Sequence, residues 1–559
     1  MKALLSILIF LIFQVSAFSQ WTQDTSKNTL VADLQTEDLM SVGTSDNKTY
    51  VAFWHNLPAP ANYELRLQLL DNQGNPLFGK DGMVLDNTAN MSTYITTWSI
   101  AIDLDDNVYV GFNATGTNTD AIIHKVSSDG IQLWGNSGIK VGSGYDVKVL
   151  PMKNGEVVVS WLPGNQGVFQ KYDANGQALF TTQINILPNI PNHKTSAGEM
   201  LELSNGDISI LIHDRSGSSP SAVPFMQRYK GTDGSTMWPT NLALTDGTGT
   251  SFNRRYDMIA KKDTVYFGYS GALGLQFNSY LQRINPDGSL PWGLNGIDFS
   301  TQSVDYEIDT KISAEEEQDN IIWAICTYTD PSQGMAGEYS QKFNVQTGER
   351  LLGDLAVEVY PISSDYITHA SDLKVYYNRP FFLITAGNSN GVFPIDIRSV
   401  TLWYNGQLKG FEFYKNHSYP VATNPNGVKS RIHLNNLYNN TSTAVWVENR
   451  PSFGEPRPFA HNVYAVIVDT KEKKNISDIH IYPNPAQNEI NIHFKTQENG
   501  IINCTIRNVQ GQTVFKKSYK KISDSIEINI PKNTTFSAGI YFVELKMGEY
   551  SKVEKLIIY

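Results

Sequence analysis

The chain has 559 residues, 41% of them hydrophobic and 18% charged, which is enough apolar material for a packed core and excludes a disordered chain. A formal net charge of −11 argues against a basic phosphate-binding surface and so against nucleic acid as a partner, leaving sugars, neutral polymers, proteins and cations. Aromatics at 11%, with 42 Gly and many Asn, combine strand formers with turn formers and point to an all-β protein.

Taken in chain order, the first element is MKALLSILIFLIFQVSAFSQ. Lys2 supplies a positive start, Ala3 to Val15 an apolar stretch too short to span a bilayer comfortably, and Ala17-Phe18-Ser19 a small-x-small cleavage site. Residues 1–19 are therefore expected to be a signal peptide. No later run of about 20 apolar residues follows, so no transmembrane segment is expected.

From residue 20 to about 470 one pattern recurs. LQLLDNQGNPLF (67–78), IHKVSSDGIQLW (123–134), FQKYDANGQALF (169–180), MQRYKGTDGSTMW (226–238), LQRINPDGSLPW (281–292) and SQKFNVQTGERLL (340–352) share a frame, with TLWYNGQLKG (401–410) as a weaker copy. A Gln or His opens the frame, a Gly follows six or seven residues later, and an aromatic often falls four residues after that: Phe78, Trp134, Phe180, Trp238 and Trp292. Ahead of each copy stands an Asn/Asp/Gly turn and an apolar strand, such as TYVAFW, VVVSW, ISILIH and IIWAIC. Eight such strands start near residues 49, 108, 157, 207, 264, 321, 381 and 443. A four-stranded meander repeated at this spacing is the signature of a β-propeller. Eight blades are expected, with seven as the alternative because the seventh unit is the least regular. The eighth unit lacks its outer strand, and residues 21–34 resemble the missing piece. They are expected to pair with the strand near 463–469 and close the ring.

After a basic linker (471–478), residues 479–559 break the repeat and form short alternating strands, the pattern of a small β-sandwich. Tyr482-Pro483-Asn484-Pro485, Asn508-Val509-Gln510-Gly511-Gln512, Ser537-Ala538-Gly539-Ile540-Tyr541-Phe542-Val543 and Lys555-Leu556-Ile557-Ile558-Tyr559 follow one another. In that order they resemble the type A C-terminal sorting domain of proteins exported by the type IX secretion system of the Bacteroidetes. The resemblance implies a sorting motif at Tyr482, Pro483, Asn484, Pro485, Gly511, Gly539, Tyr541, Val543 and Lys555. It also implies type IX machinery as a partner and export across the outer membrane, followed by release or attachment at the cell surface.

Candidate chemistry in the propeller is thin. Asp129-Gly130, Asp233-Gly234 and Asp287-Gly288 lack the spacing of the Asp box of sialidase-like propellers and read as turns, with the Trp as a packing residue. The acids of DLDDN (103–107) invite calcium, but Val108 and Ala114 stand where a calcium loop needs Gly and Glu, so no cofactor and no metal site are expected. His124 replaces the repeat Gln and reads as structural. No nucleophile elbow, phosphate loop or zinc motif is present, and no catalytic residue is assigned. Loops 53–64, 213–225, 327–339 and 447–462 do not repeat, and they place Trp54, Tyr63 and Tyr339 on one rim as candidate sugar-stacking residues. The sequence therefore reads as an exported β-propeller acting in binding or adhesion, with a glycan or envelope protein as partner. An extracellular hydrolase or lyase acting on glycans, or a structural part of the cell surface, are the alternatives. Carboxylates or a His converging at the central mouth would favour the enzyme.

Overall fold

The computed structural model describes residues 21–464 and 478–559, apart from 23, 58–62, 90–96, 116–118, 218–220, 252–254, 275, 315–319, 365–370, 377, 387–395, 407–418, 437, 439–440, 488, 496–499, 510–511, 522–524, 532–535 and 548–549. The expected signal peptide, linker residues 471–477 and Gly511 lie outside the described residues. The chain divides into two compact units, Met1–Val466 and Ile467–Tyr559. All the regular elements among the described residues are strands.

The first unit is a β-propeller of eight antiparallel sheets, which decides between eight blades and seven. Blades 1 to 8 begin with innermost strands Thr36–Gly43, Ser99–Ile102, Tyr145–Pro151, Lys194–Glu202, Asp257–Lys261, Tyr306–Ser313, Lys374–Tyr376 and Val428–Leu434. The second strand of each blade is sandwiched between neighbouring blades, so it is apolar without alternation. Val157–Leu162 and Ile208–Arg215 are buried at every position. Each apolar cluster spans two neighbouring blades, and one joins Val445, Val447 and Ala460 of blade 8 to Leu39, Val51 and Phe53 of blade 1.

The N-terminal segment completes blade 8, as expected. Its register is earlier than the expected 463–469: Thr29 pairs with Ala460 and Leu30 with Phe459, inside the strand Pro456–Tyr464. Most of that strand falls in 447–462, which was expected to be a non-repeating loop. Pro456 and Pro458 sit at its start, where the outer partner contributes only the Val31 amide, donating to the Pro458 carbonyl at 2.9 Å. Trp21 finishes the closure. Its Nε1 donates to the Asn72 carbonyl at 3.0 Å, as Trp134 donates to the Ala174 carbonyl at 3.0 Å between blades 2 and 3. The Trp21 ring lies over Gly74, where a β-carbon would come within 2.9 Å of it, and the Trp238 ring lies over Gly288 in the same way. Gly288 needs its missing side chain twice, because its φ of 82° is also left-handed.

The repeat glutamine holds this turn together. Gln282 Nε2 donates to the carbonyls of Gly293 (2.8 Å) and Leu244 (3.1 Å), and its Oε1 accepts the Arg283 amide at 2.9 Å. Gln68, Gln170, Gln227 and Gln341 make the corresponding bonds in their blades. His124 stands in that place in blade 2, buried, stacked on Phe112, with neither ring nitrogen partnered. Burial lowers its pKa to about 4, so it is neutral at pH 7.

The second unit is a β-sandwich. One sheet holds Asp478–Tyr482, Glu489–Lys495 and Ser525–Pro531; the other orders Thr513–Lys521, Gly500–Asn508, Gly539–Met547 and Tyr550–Ile558. Ile490, Ile492, Cys504, Ile506, Tyr541, Val543 and Leu545 fill the space between them. Cys504 and Cys326 are both free and buried.

Candidate functional site: the central channel

The innermost strands of all eight blades enclose a cavity of about 640 Å³. An ordinary inner strand would turn alternate residues to the channel. Here five of the eight carry a β-bulge, with one extra residue between Thr36 and Asp38, Tyr145 and Lys148, Ala197 and Met200, Ile308 and Lys311, and Ser430 and His433. Asp146, Asp309 and Arg431 sit in these bulges at φ of 59°, 54° and 53°. The bulges shift the pleat and bring charged side chains from successive blades together.

Lys148, Glu199, Arg255, Asp257, Lys311, Asp372, Lys374 and His433 line the cavity. Lys148 is committed within the wall: Nζ contacts Asp146 at 3.0 Å and donates to the Ala197 carbonyl. Arg255 reaches across to blade 1 and the segment before blade 2, donating to Met40 Sδ at 3.1 Å and to the Trp98 carbonyl. Among the described residues Arg255, Lys311 and Lys374 have no carboxylate within ion-pair distance. Glu199 Oε1 accepts the Tyr256 amide at 3.1 Å, while its buried Oε2 has no partner.

The electrostatics follow from this crowding in a poorly solvated space. Burial raises the pKa of Glu199 and of Asp257. Burial also acts upward on Asp372, but Lys374, His433 and Lys311 outweigh it and hold that carboxyl below its ordinary value. Burial acts downward on Lys311, and Asp257, Asp372, Asp309 and Glu199 together outweigh it and raise its pKa. Burial lowers His433, which is therefore a neutral imidazole at pH 7.

Other candidates fall elsewhere. Trp54 is not on a rim: it is 1% exposed and packs edge-on against Trp98 (6.0 Å) and Phe112 (5.7 Å), because it sits on a second strand buried on both faces. Tyr63 packs half-buried against the same cluster. Tyr339 stacks on Tyr328 at 3.9 Å and donates from its hydroxyl to Glu358 at 3.3 Å. None of the three lines the channel. The acids of DLDDN are absorbed by structure. Asp103 accepts the amides of Asp105 and Asn107, and Asp106 accepts the Ser45 amide and hydroxyl of the preceding blade at 2.8 and 2.6 Å. Among the described residues no group of three or more His, Cys, Asp or Glu could hold a metal ion.

The channel charges had a sequence signal. Asp146-Val147-Lys148 and Asp309-Thr310-Lys311 within two innermost strands, and Asp372-Leu373-Lys374 leading into a third, repeat an Asp-x-Lys triplet.

In the second unit the sorting-motif residues divide by face. Tyr541 and Val543 are buried, whereas Tyr482, Pro483, Asn484, Pro485, Gly539 and Lys555 are exposed. Asn484 donates to the Lys555 carbonyl at 2.8 Å and accepts the Ile557 amide at 2.9 Å, and Ala486 bridges to Ile558 beside it. The Tyr482-Pro483-Asn484-Pro485 stretch thus fastens the C-terminal strand. The Tyr541 hydroxyl donates to the Ser537 carbonyl at 2.9 Å.

Comparison with known proteins bears on both units. A relative, an endo-acting ulvan lyase of Formosa agariphila, is 33% identical over 82 residues, which is 15% of this chain and 15% of the lyase, too short to span a propeller. Prolyl oligopeptidase B of Galerina marginata aligns over 76% of this chain and 56% of its own length at 11% identity, with a TM-score of 0.42. The β-propeller domain of the Trilobed protease of Pyrococcus furiosus aligns over 68% of this chain and 98% of its own length at 7% identity, with a TM-score of 0.37. Among the described residues no helix is long and apolar enough to cross a membrane. Residues 480–559 match the family model of the secretion system C-terminal sorting domain. The chain is a β-propeller protein carrying a type IX sorting domain, which directs it to the cell surface or the extracellular space.

Proposed function

We propose that the exported propeller is a binding protein whose ligand sits in the central channel, and that the ligand is an acidic, hydroxyl-rich molecule such as a uronate- or sulfate-bearing oligosaccharide. The observation that carries this reading is the set of three cations, Arg255, Lys311 and Lys374, facing one cavity with no ion-paired carboxylate among the described residues. None of the three has a carboxylate at ion-pair distance among the described residues, so an anionic ligand would add the direct charge-assisted contacts that the wall does not make. Glu199 Oε2, buried and unpartnered, offers a hydrogen bond to a sugar hydroxyl.

A second reading is an enzyme acting on the same ligand class. Glu199 and Asp257, with raised pKa values, and the neutral His433 face the same cavity, which supplies a proton donor and a base in one place. The experiment is one panel of acidic and neutral oligosaccharides, scored both for equilibrium binding and for release of new chain ends. Binding of acidic members without cleavage supports the first reading, cleavage supports the second, and equal indifference to both panels contradicts both.

A further inference from the structure

The sorting domain presents two different surfaces, and its charge runs against that of the rest of the chain. Residues 480–559 hold ten Lys and Arg against seven Asp and Glu, a net +3 on a chain whose total is −11. The excess is not evenly spread. In an antiparallel sheet, residues directly opposite each other share a face. Arg507 lies opposite Phe542, and Phe542 opposite Lys555. The next row on that face sets Lys516 opposite Thr505, Thr505 opposite Glu544, and Glu544 opposite Val553. Further along, Asn503 lies opposite Lys546 and Ile501 opposite Lys520. The intervening positions, Cys504, Ile506, Val543 and Leu545, all point into the core.

This outer face mixes exposed apolar side chains, at its two end rows and on its edge strand, with cations. Ile501 is 62% exposed, Val553 52% and Phe542 43%. Glu544 is the carboxylate on these rows, and Arg507 already neutralises it at 2.8 Å. Lys516, Lys520, Lys546 and Lys555 are exposed and have no ion pair among the described residues. The sorting motif is split by the same alternation. Tyr541 and Val543 serve the core, while Ile540, Phe542 and Lys555 are turned outward, where folding does not require them.

We infer that the outer face of this four-stranded sheet is the surface by which the sorting domain docks on the export machinery, and that its partner is an acidic protein surface that also carries apolar side chains. Charge complementarity selects that partner. Ile501, Phe542 and Val553 add apolar contact area, and the four ammonium groups set the orientation and exclude basic partners. The opposite sheet differs in charge. Its outward positions include His493, Glu527, Glu489 and Asn529, and its exposed aromatic, Tyr482, donates to Glu527, so that face presents carboxylates.

The test uses the full chain in a type IX-competent bacterium. One variant carries Lys516→Glu, Lys520→Glu and Lys546→Glu, and another Phe542→Ser; Lys555 is left intact so that the terminal motif is unaltered. Glu489→Lys on the other sheet is the control. Purified variants are first melted to establish that the sorting domain is folded, and Lys→Gln changes at the same three positions supply a milder series. The expected result is a fall of about tenfold in the surface and extracellular fraction for both variants, a smaller fall for the Gln series, and wild-type export of the control. Wild-type export of the folded charge-reversal and Phe542→Ser variants would overturn the inference. Binding of the purified protein to phosphatidylglycerol vesicles, lost in the same variants, would also overturn it by assigning the face to a lipid surface.

Discussion

Gln282 Nε2 donates to the Gly293 carbonyl at 2.8 Å, joining the end of one strand to the turn that leads into the next. The same amide also ties Leu244 and the Arg283 amide, so one side chain satisfies three backbone groups that would otherwise be buried and unpaired. The repeated glutamine is thus a folding device.

Replacing Gln282 with Leu should cost about 2 kcal/mol, because an unsatisfied buried polar group costs roughly 1–3 kcal/mol. The converse substitution is more telling. His124→Gln should raise stability by about 1 kcal/mol, since it restores in blade 2 the bonds that the other blades make. Denaturant titration measures both; a destabilised His124→Gln would show that the histidine has a role that its empty bonding does not reveal.

Trp21 joins Phe78, Trp134, Phe180, Trp238 and Trp292 as a sixth interblade aromatic, supplied by the other end of the chain. Its ring is half-buried, so Trp21→Ala should cost about 1–2 kcal/mol, less than the 3–5 kcal/mol of a fully buried Trp. Hydrogen exchange should accelerate in Thr29–Leu30 and Pro456–Tyr464 before other strands. Uniform acceleration in all eight blades would contradict a local role in closure.

Stability should depend on pH through groups buried in one protonation state. His124 and His461 are lowered to about 4, and His213 to about 3, each mainly by burial. A histidine whose folded pKa is depressed supports stability above its ordinary 6.5, and that support is lost as pH falls through 4. Glu338 runs the other way. Burial raises its pKa to about 8, so its contribution is full below 4.5 and is lost as pH rises through 8. Melting curves from pH 4 to 9 should show both flanks, and Glu338→Gln should flatten the alkaline one. An alkaline fall unchanged in that variant would assign it to another group.

Asn484 holds the last strand by mimicking a backbone partner, accepting from Ile557 and donating to Lys555. Asn484→Ala should lower the stability of the sorting domain by about 1–2 kcal/mol, the cost of two hydrogen bonds at roughly 0.5–1.5 kcal/mol each. It should also speed exchange of the Ile557 amide. Protection of that amide at the wild-type level would show that the Ala486 bridge suffices alone.

The repeat, the blade number and the closing strand were legible because turn chemistry and strand composition recur at fixed spacing. Trp54 was misplaced because the sequence of a strand buried on both faces runs on without alternation, so nothing marks where it leaves the core. Most of the last strand was missed because 447–462 does not repeat and reads as loop, and only the short reach of the N-terminal partner makes Pro456 and Pro458 tolerable at its start. The channel was hidden for a different reason. A bulge is a relation between two strands, so the inward turn of Lys148, Lys311 and His433 is fixed by register with Val157–Leu162, Ile321–Thr329 and Thr441–Asn449 and not by their own neighbours. The Asp-x-Lys triplets were visible, but the frame that gave them a common position was not.

The central claim is that the channel cations hold an anionic ligand. The direct measurement is calorimetric titration of uronic-acid oligosaccharides and their neutral counterparts into the protein and its Lys311→Ala, Lys374→Ala double variant. The account predicts binding of the acidic series alone, weakened at least about tenfold in the double variant, since each charge-assisted hydrogen bond contributes roughly 1.5–3 kcal/mol. Equal affinity of the folded double variant and the wild type for the acidic series would contradict it.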